Sequence, residues 1–395
     1  MFTKIFSSFR HQNIFRNTAK QLMLVGLLST IYYRQKLSLQ VNPNIKQYGD
    51  RLNRAFKRTL EPEDDFYKNT IILSGNSNKE LAEEIAEYLN IKLGSVTIGR
   101  FADGECQIQV LDNIRGKDVF IIQSTSPPVN DNLMELLLLV SALRRASARK
   151  IIVVVPYYGY ARQDRKCAPR VPISAADVAR LLETVGVDRL ISVDLHCGQI
   201  QGFFGPRVPV DNLEANLVAQ NYLALQNKYQ FKDVAIISPD AGGVYRAKKF
   251  QEQFDQHHPG IQSHLAMIIK QREGPGKIAS MNLVGSVRGK DCIIVDDMID
   301  TAGTLSEAAR VLKEQGANRV FAFATHALFS GKAFTNLSSP SLDQIIVTNT
   351  IPSKPQEEEI LGERICRLSV APLLAEAIYR VQKKESVSTL FDTKH

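Results

Sequence analysis

Short apolar runs alternate along the chain with longer segments in which apolar and polar residues recur at helical spacing, beginning at Thr70. The runs are rich in Ile and Val, and their length and composition predict strands, whereas the longer segments predict helices. The predicted strands are Thr70–Leu73, Asp118–Gln123, Lys150–Val155, Leu190–Val193, Val234–Ile237, Leu265–Ile269, Cys292–Val295, Val320–Ala324 and Gln344–Val347. The predicted helices are Lys79–Leu89, Asn132–Ala146, Ser174–Val185, Leu213–Gln226, Val244–Phe254 and Leu305–Glu314.

This alternation predicts an α/β fold, because strands that are apolar throughout and follow helices are typical of parallel sheets covered on both faces. The segment near Asn227 to Asp233 marks a boundary between two α/β halves of similar size. We therefore predict a leader at 1–66, an N-terminal domain at 67–228 and a C-terminal domain at 229–395. Ligands collect at the carboxyl ends of strands in such sheets, and polar, Gly-rich segments follow several of the predicted strands.

The charge of the chain is concentrated in the leader. Of 395 residues, 49 are basic and 41 acidic, which gives a net charge of +8. Seven basic residues and no acidic residue precede Asp50, and without these seven the remaining 42 basic residues nearly balance the acidic ones. A basic groove for nucleic acid therefore has no support from composition. The five cysteines include no CxxC pair, which indicates reduced thiols and argues against a zinc site or a disulfide framework.

The first part of the leader, residues 1–49, suits a mitochondrial presequence because it is basic and free of acids. Its apolar run from Leu22 to Tyr33 is shorter than the roughly 20 residues of a membrane-spanning helix, so we expect no stable membrane span. The same run also suits the core of a secretory signal, and an extension without a targeting role is a further alternative. We expect a cytoplasmic protein, with a mitochondrial location as the alternative.

The sequence VDDMIDTAGT contains the sharpest chemical signal. An apolar strand ends in the adjacent carboxylates Asp296 and Asp297, and a short turn then opens a helix. Backbone N–H groups in such a turn form a phosphate cradle together with the helix N-terminus. The acids can accept hydrogen bonds from the hydroxyls of the same sugar phosphate. Taken alone, Asp300 or Thr301 would more simply be a helix cap. The predicted cradle consists of Asp300, Thr301, Ala302, Gly303 and Thr304.

Other polar residues follow strands in the pattern that a metal–nucleotide site needs. His196 lies just after a strand that ends at Asp194, and Asp240 ends another strand. Imidazole and carboxylate groups there can hold Mg²⁺ directly or through water, although a lone His is often structural. Arg162 lies just beyond a strand, where its planar guanidinium can clamp a phosphate. The chain contains neither a GxxxxGK[ST] loop nor an HRD loop, so P-loop and protein-kinase sites fit poorly.

The cradle sequence resembles the phosphoribosyl-binding signature shared by phosphoribosyltransferases and ribose-phosphate diphosphokinases (PRPP synthetases). Further segments are similar to the diphosphokinases in particular, and together the similarity covers about residues 70 to 392. These segments are Phe101–Glu105, Pro156–Lys166, Asp194–Phe204, Ser238–Gly243 and Glu385–Phe391.

The resemblance implies roles for individual residues and two phosphoribosyltransferase-like domains. It assigns Phe101, Asp103 and Glu105 to a loop that binds adenine, and Arg162 and Gln163 to ATP. Its metal signature adds Asp194 and Asp211 to His196 and Asp240 as ligands of Mg²⁺, although the segment before Asp211 reads two residues longer than is usual in the family. Lys270 and Arg272 would belong to a mobile catalytic loop, where the alternative is a solvated surface turn.

The activity that the resemblance implies is transfer of the diphosphoryl group of ATP to ribose 5-phosphate, which gives PRPP and AMP. Members form homo-oligomers, commonly hexamers, with regulation by phosphate and ADP. Two alternatives stay open at this point. A salvage phosphoribosyltransferase would share the cradle but needs no adenine loop, and a catalytically silent associated subunit would show a disrupted set of catalytic charges.

Overall fold

The N-terminal half of the computed structural model contains a five-stranded parallel sheet. Its strands lie in the order β1-β4-β5-β6-β7. They are apolar because helices cover both faces, and β4 and β5 are buried almost throughout. The antiparallel strands β2 and β3 form a separate hairpin. The bounds are β1 Thr70–Ser74, β2 Val96–Arg100, β3 Cys106–Val110, β4 Asp118–Ile122, β5 Lys150–Val155, β6 Arg189–Val193 and β7 Val210–Leu213.

The helices of this half bury an apolar face against the sheet. Asn78 begins the second helix by accepting a hydrogen bond from the backbone N–H of Leu81, and Gly186 ends the fourth in a left-handed conformation, with φ of 103°. A side chain at Gly186 would also collide with Arg144. The bounds are α1 Asp65–Asn69, α2 Lys79–Tyr88, α3 Val129–Arg145, α4 Ser174–Val185 and α5 Asn216–Leu225.

The C-terminal half contains a seven-stranded sheet in the order β10-β9-β8-β11-β12-β13-β14, parallel except for the β9–β10 pair. Its strands are β8 Asp233–Ser238, β9 Gln262–Gly274, β10 Lys277–Val284, β11 Asp291–Ile299, β12 Val320–Ala327, β13 Gln344–Thr348 and β14 Ile365–Leu368. Its helices are α6 Val244–His257, α7 Gly303–Glu314, α8 Ala333–Leu337, α9 Gln356–Leu361 and α10 Ala371–Lys383.

The structure describes residues 65–225, 229–274 and 277–390. Apart from Asp65 and Phe66, the predicted leader lies outside them. The predicted α/β class is confirmed, and the two sheets lie on either side of 226–228, although the exact domain bounds stay a prediction. Each predicted strand is present, but β9 runs on to Gly274 because β10 pairs with it. Among the described helices none is long and apolar enough to cross a membrane.

Candidate active site

A cavity of about 700 Å³ lies between the two halves, beyond the carboxyl ends of their strands. Residues predicted from several separate motifs line it, as expected for parallel sheets whose strand ends meet at one edge. The N-terminal half contributes Arg162 and His196, and the C-terminal half contributes Asp240, Asp296 and Asp297. The fold therefore brings together side chains that are up to 135 positions apart in the sequence.

His196 and Arg246 hold one of the two adjacent acids from both sides. The Nδ1 atom of His196 lies 2.7 Å from Oδ2 of Asp297. Nη1 of Arg246 lies 3.1 Å from Oδ1 of the same carboxylate and 3.6 Å from Oδ1 of Asp296. The carboxylate of Asp297 is buried, so these two partners supply the charge-assisted contacts that water would otherwise provide.

These contacts shift the pKa values of the three groups in different directions. The hydrogen bond to Asp297 raises the pKa of His196. Burial alone would raise the pKa of Asp297, but the hydrogen bond from His196 and the charge of Arg246 hold it below its ordinary value. Burial and the negative charge of Asp297 raise the pKa of Asp296. Two adjacent carboxylates in one site resist ionising together, and here Asp297 is the one that keeps the charge.

The predicted phosphate cradle forms the turn between β11 and α7. All five of its residues, Asp300–Thr304, line a second cavity of about 220 Å³. Ala302 has a left-handed backbone with φ of 59°, and within the described structure no side chain caps α7. The backbone N–H groups at this helix start are therefore not occupied by a cap. Asp240 and Asp296 line both cavities, so the cradle opens into the larger site.

Arg162 connects the two halves at the rim of the cradle. Its Nη1 atom donates to Oδ2 of Asp300 across 2.5 Å. Burial would raise the pKa of Asp300, but this hydrogen bond contributes to holding it below its ordinary value. Gln163, the next residue, is exposed, and its amide oxygen accepts a hydrogen bond from Ser174.

The predicted adenine loop lies apart from these cavities. Phe101, Asp103 and Glu105 occupy the exposed turn between β2 and β3, and none of them lines the cavity that contains Arg162. The turn is ordered by its own backbone, since the N–H of Phe101 donates to the carbonyl of Glu105 across 2.8 Å. Half of the Phe101 side chain is exposed, at 51%. This exposure leaves an aromatic surface available for stacking.

Two of the predicted metal ligands point elsewhere. The carboxylate of Asp194 is buried and accepts hydrogen bonds from the N–H of Ala215 and the hydroxyl of Thr325. Asp211 forms an ion pair with Arg189 and lines a different cavity of about 900 Å³, at the opposite ends of the N-terminal strands. Neither residue lines the cavity of His196 and Asp240. Both carboxylates are engaged by protein groups here, and the roles of Asp194 and Asp211 as metal ligands stay predictions.

Sequence comparison identifies known proteins similar to this chain. Residues 70–186 match the model of the N-terminal domain of ribose phosphate pyrophosphokinase, and residues 243–392 match the phosphoribosyl synthetase-associated domain. The ribose-phosphate pyrophosphokinase of Pasteurella multocida is 49% identical over 321 residues, which are 81% of this chain and 98% of the relative. That of Bacillus caldolyticus is 49% identical over 80% of this chain and 96% of the relative.

A solved structure gives the same result. The phosphoribosylpyrophosphate synthetase from Mycobacterium smegmatis is 40% identical, with a TM-score of 0.72, over 80% of this chain and 99% of that one. The chain belongs to the ribose-phosphate pyrophosphokinase family. It is a diphosphotransferase of that family, and the comparisons provide no support for a salvage phosphoribosyltransferase or a silent subunit.

The family's predicted catalytic cations lie on the β9–β10 hairpin. The backbone of Lys270 is paired with Met281 and that of Arg272 with Ile278, whereas their side chains lie outside the described residues. Ile269, directly before Lys270, lines the larger cavity. The hairpin therefore begins at the site, and the roles of Lys270 and Arg272 stay predictions.

Sequence reasoning assigned no individual role to three charged residues of this pyrophosphokinase site. Arg246, Asp164 and Arg165 all line the larger cavity. Arg246 follows the Asp240–Gly243 segment by one helical turn, and this position on the first turn of α6 was the only signal available. Asp164 is part of the segment that resembles the ATP-contacting motif, and its charge contributes to the raised pKa of His196.

Proposed function

We propose that this pyrophosphokinase binds ATP and ribose 5-phosphate in the two connected cavities and joins them there. The proposal rests on one observation: the two cavities have lining residues in common. Asp240 and Asp296 line both the cavity of the Asp300–Thr304 cradle and the larger cavity that contains His196 and Arg162. A sugar phosphate held by the cradle would thus present its anomeric hydroxyl toward a nucleotide held by the other half. Such positioning, together with charge stabilisation, supplies most of the catalysis in phosphoryl transfer.

The ribose 5-phosphate side uses amide groups and acids. The free N–H groups at the start of α7 and the hydroxyls of Thr301 and Thr304 bind the 5-phosphate. Asp296 and Asp297 accept hydrogen bonds from the ribose hydroxyls. The lowered pKa of Asp297 supports this role, because an ionised carboxylate is the stronger acceptor.

The ATP side uses cations and the exposed loop. Arg162 and Gln163 contact the nucleotide, and Phe101, Asp103 and Glu105 hold adenine. The anomeric oxygen of the sugar attacks the β-phosphorus of ATP. The new P–O bond forms as the bond between the β-phosphorus and the bridging α-phosphate oxygen breaks. AMP leaves with that oxygen, and the proton of the attacking hydroxyl is released to water. Lys270 and Arg272, with Arg246 nearby, stabilise the negative charge that develops.

Mg²⁺ is the cofactor that this chemistry requires, because it neutralises the phosphate charges and orients the triphosphate when bound. His196 and Asp240 would hold it, because both line the larger cavity. Their imidazole nitrogen and carboxylate oxygens are ligands that Mg²⁺ can bind directly or through water. In the described part of the chain no group of three or more His, Cys, Asp or Glu side chains forms a ready-made site. An ion held by two protein groups, substrate oxygens and water fits that finding.

One assay tests the function. Purified protein is given ATP and ribose 5-phosphate with Mg²⁺ and no nucleobase, and AMP is measured by a coupled reaction. We expect AMP only when all three are present. ATP binding without any affinity for the pentose phosphate would contradict the proposal. In the same assay Lys270→Ala should lose most of its turnover.

Three further properties are proposals on sequence grounds. The family resemblance supports a homo-oligomer, a hexamer by analogy, and regulation by phosphate or ADP, and light scattering with and without phosphate would test the assembly. We propose a cytoplasmic location, with mitochondrial import through the acid-free residues 1–49 of the leader as the alternative. Imaging of the full-length chain fused to a fluorescent protein would distinguish the two.

A further inference from the structure

We propose that Thr325 and His326 are positioning residues, which hold His196 against Asp297 by fixing Asp194 between the two halves of the molecule. The inference rests on the proposed role of His196 in the active site. It gives Asp194 a structural role that its observed hydrogen bonds support.

The chain bends at Asp194, two residues before His196. Asp194 follows β6 and has a left-handed backbone with φ of 41°, a conformation that a residue other than Gly adopts at a cost. Its N–H donates to the carbonyl of Leu213 across 2.8 Å. Its carboxylate accepts from the N–H of Ala215 at 3.0 Å. These bonds fix the turn to the N-terminal half, to which it belongs in sequence.

The C-terminal half holds the same residue through β12. The hydroxyl of Thr325 donates to Oδ2 of Asp194 across 2.5 Å, and Nε2 of His326 lies 3.2 Å from the backbone carbonyl of Asp194. Both side chains are buried, at 1% and 2% exposure. A buried carboxylate is expensive to leave unpaired, so the bond from Thr325 is a strong constraint on where Asp194 lies.

The hydrogen bonds of His326 define its protonation. A carbonyl can only accept, so Nε2 carries the proton that it donates to Asp194. Nδ1 lies 2.9 Å from the hydroxyl oxygen of Thr350. The ring also packs edge-on against Tyr157 of the N-terminal half, with 5.0 Å between ring centroids. Contacts with both halves thus fix the orientation of the imidazole, and burial, which lowers its pKa, favours the neutral form.

The position of β12 determines where both His196 and Asp297 lie. This strand lies parallel to β11, with Asp296 opposite Ala324 and Met298 opposite His326. Asp297 is therefore level with Thr325 on the neighbouring strand. Since Thr325 and His326 also hold the turn that presents His196, one strand fixes both partners of the 2.7 Å contact. A displacement of about 1 Å at such a contact is enough to lower a rate by two orders of magnitude.

The test replaces the hydroxyl of Thr325 while keeping the side-chain shape. We expect Thr325→Val to lower kcat by roughly tenfold or more and to change the KM for ribose 5-phosphate much less, because the Asp300–Thr304 cradle keeps its contacts with the phosphate. Thr325→Ser keeps the donor and should retain turnover close to that of the unmodified protein. Ser192→Ala is the matched control: it removes an equally buried hydroxyl from β6 that donates to the carbonyl of Val155 and does not contact Asp194.

A double-mutant cycle with His196→Ala separates positioning from general destabilisation. If Thr325 acts through His196, the double variant will be no slower than His196→Ala alone. Multiplicative losses in kcat would overturn the inference, as would a Thr325→Val protein with unchanged kcat. His326→Leu provides the same cycle should Thr325→Val not fold. If His196→Ala itself keeps full turnover, the proposed role of His196 fails too, and AMP formation by the unmodified protein still tests the overall function separately.

Discussion

Asp296 and Asp297 are neighbours in sequence, yet their surroundings give them opposite chemical tendencies. Asp297 is paired with His196 and Arg246, which favours its charged form. Asp296 lies beside that charge, and its pKa is raised. The fold thus gives the two neighbouring carboxylates different roles. Asp297 stays ionised as a hydrogen-bond acceptor, whereas Asp296 keeps its proton to a higher pH. This division depends on His196, a residue from the other half of the chain.

The first prediction concerns the pKa of His196. In Asp297→Asn the carboxylate partner is lost, so we expect the pKa of His196 to fall toward its ordinary value of about 6.5. The measurement is an NMR titration of the imidazole C–H resonances. Asp300→Asn removes a carboxylate that does not contact His196, and it should leave the titration in place. An unchanged His196 pKa in Asp297→Asn would show that another group raises it.

The second prediction concerns stability at low pH. Burial lowers the pKa of His326 to about 4, so between pH 6.5 and 4 the unfolded chain binds a proton that the folded protein does not. Stability from this group is present above pH 6.5 and is lost as the pH falls. We expect the unfolding free energy of the unmodified protein, relative to His326→Gln, to drop by up to about 3 kcal/mol over that range.

Urea unfolding of both proteins at several pH values would measure the difference. Asp194, whose pKa burial raises to about 6, titrates in the same range with the opposite sign. It is present in both proteins, and the comparison between them therefore isolates His326. A constant difference from pH 7 to pH 4 would contradict the prediction.

At the scale of elements, the strands that carry the site were predictable and the hairpins were not. Buried parallel strands such as β4 and β11 read as continuous apolar runs, and the cradle is contiguous with one of them. The strands β2 and β3 are half-exposed, with no apolar run to mark them. Asp194 and Asp211 illustrate the same limit. The position of a residue relative to a predicted strand indicates which edge of the sheet it lies near. The direction of its carboxylate depends on hydrogen-bond partners that the sequence does not identify.

The β2–β3 hairpin leads to a third prediction. Glu135 on α3 is buried, and its carboxylate lies 3.4 Å from Nη2 of Arg100, the last residue of β2. It also accepts a hydrogen bond from Gln123 across 3.2 Å. Arg100 directly precedes the proposed adenine loop, so Glu135 holds that loop in place. We expect Glu135→Gln to raise the KM for ATP several-fold, with little change in the KM for ribose 5-phosphate.

Asp131→Asn is the matched control for Glu135→Gln. Asp131 also lies close to Arg100, at 3.5 Å, but its side chain is 55% exposed. Solvent screens such pairs, so the KM for ATP should stay within about twofold. Steady-state kinetics with each substrate varied in turn would measure both variants. Equal effects of the two substitutions would contradict a special role for the buried carboxylate.

At the scale of the whole molecule, two halves with the same strand order have unequal sites. The order β1-β4-β5-β6-β7 corresponds to β8-β11-β12-β13-β14. In the turn after β11 the backbone forms a phosphate cradle. In the turn after β4, side chains of the turn itself hydrogen-bond to neighbouring carbonyl groups. There Ser124 donates to the carbonyl of Thr350 across 2.7 Å, and Thr125 donates to that of Tyr157. The resemblance predicted two similar domains. The hydrogen bonds of Ser124 and Thr125, visible only in the structure, show why the turn after β4 is not a second cradle.

The fourth prediction concerns the ion pair between the halves. Arg162 is paired with Asp300, and an incoming triphosphate has to compete for the same guanidinium. We expect Arg162→Gln to raise the KM for ATP by about tenfold, since one charge-assisted contact is lost. Asp300→Asn should act on the other substrate and raise the KM for ribose 5-phosphate. Identical changes in both Michaelis constants for both variants would show that the pair is only structural.

The last helix of the described chain has a consequence for how substrates enter. From Ala371 to Tyr379, all residues of α10 are buried, as expected for a helix enclosed on every side. It packs against α2 of the N-terminal half, and the rings of Tyr379 and Phe66 lie 5.7 Å apart. Moving the two halves apart would break the contacts of α10 with one of them. We therefore expect nucleotide and sugar to enter through movements of surface segments, without separation of the two halves.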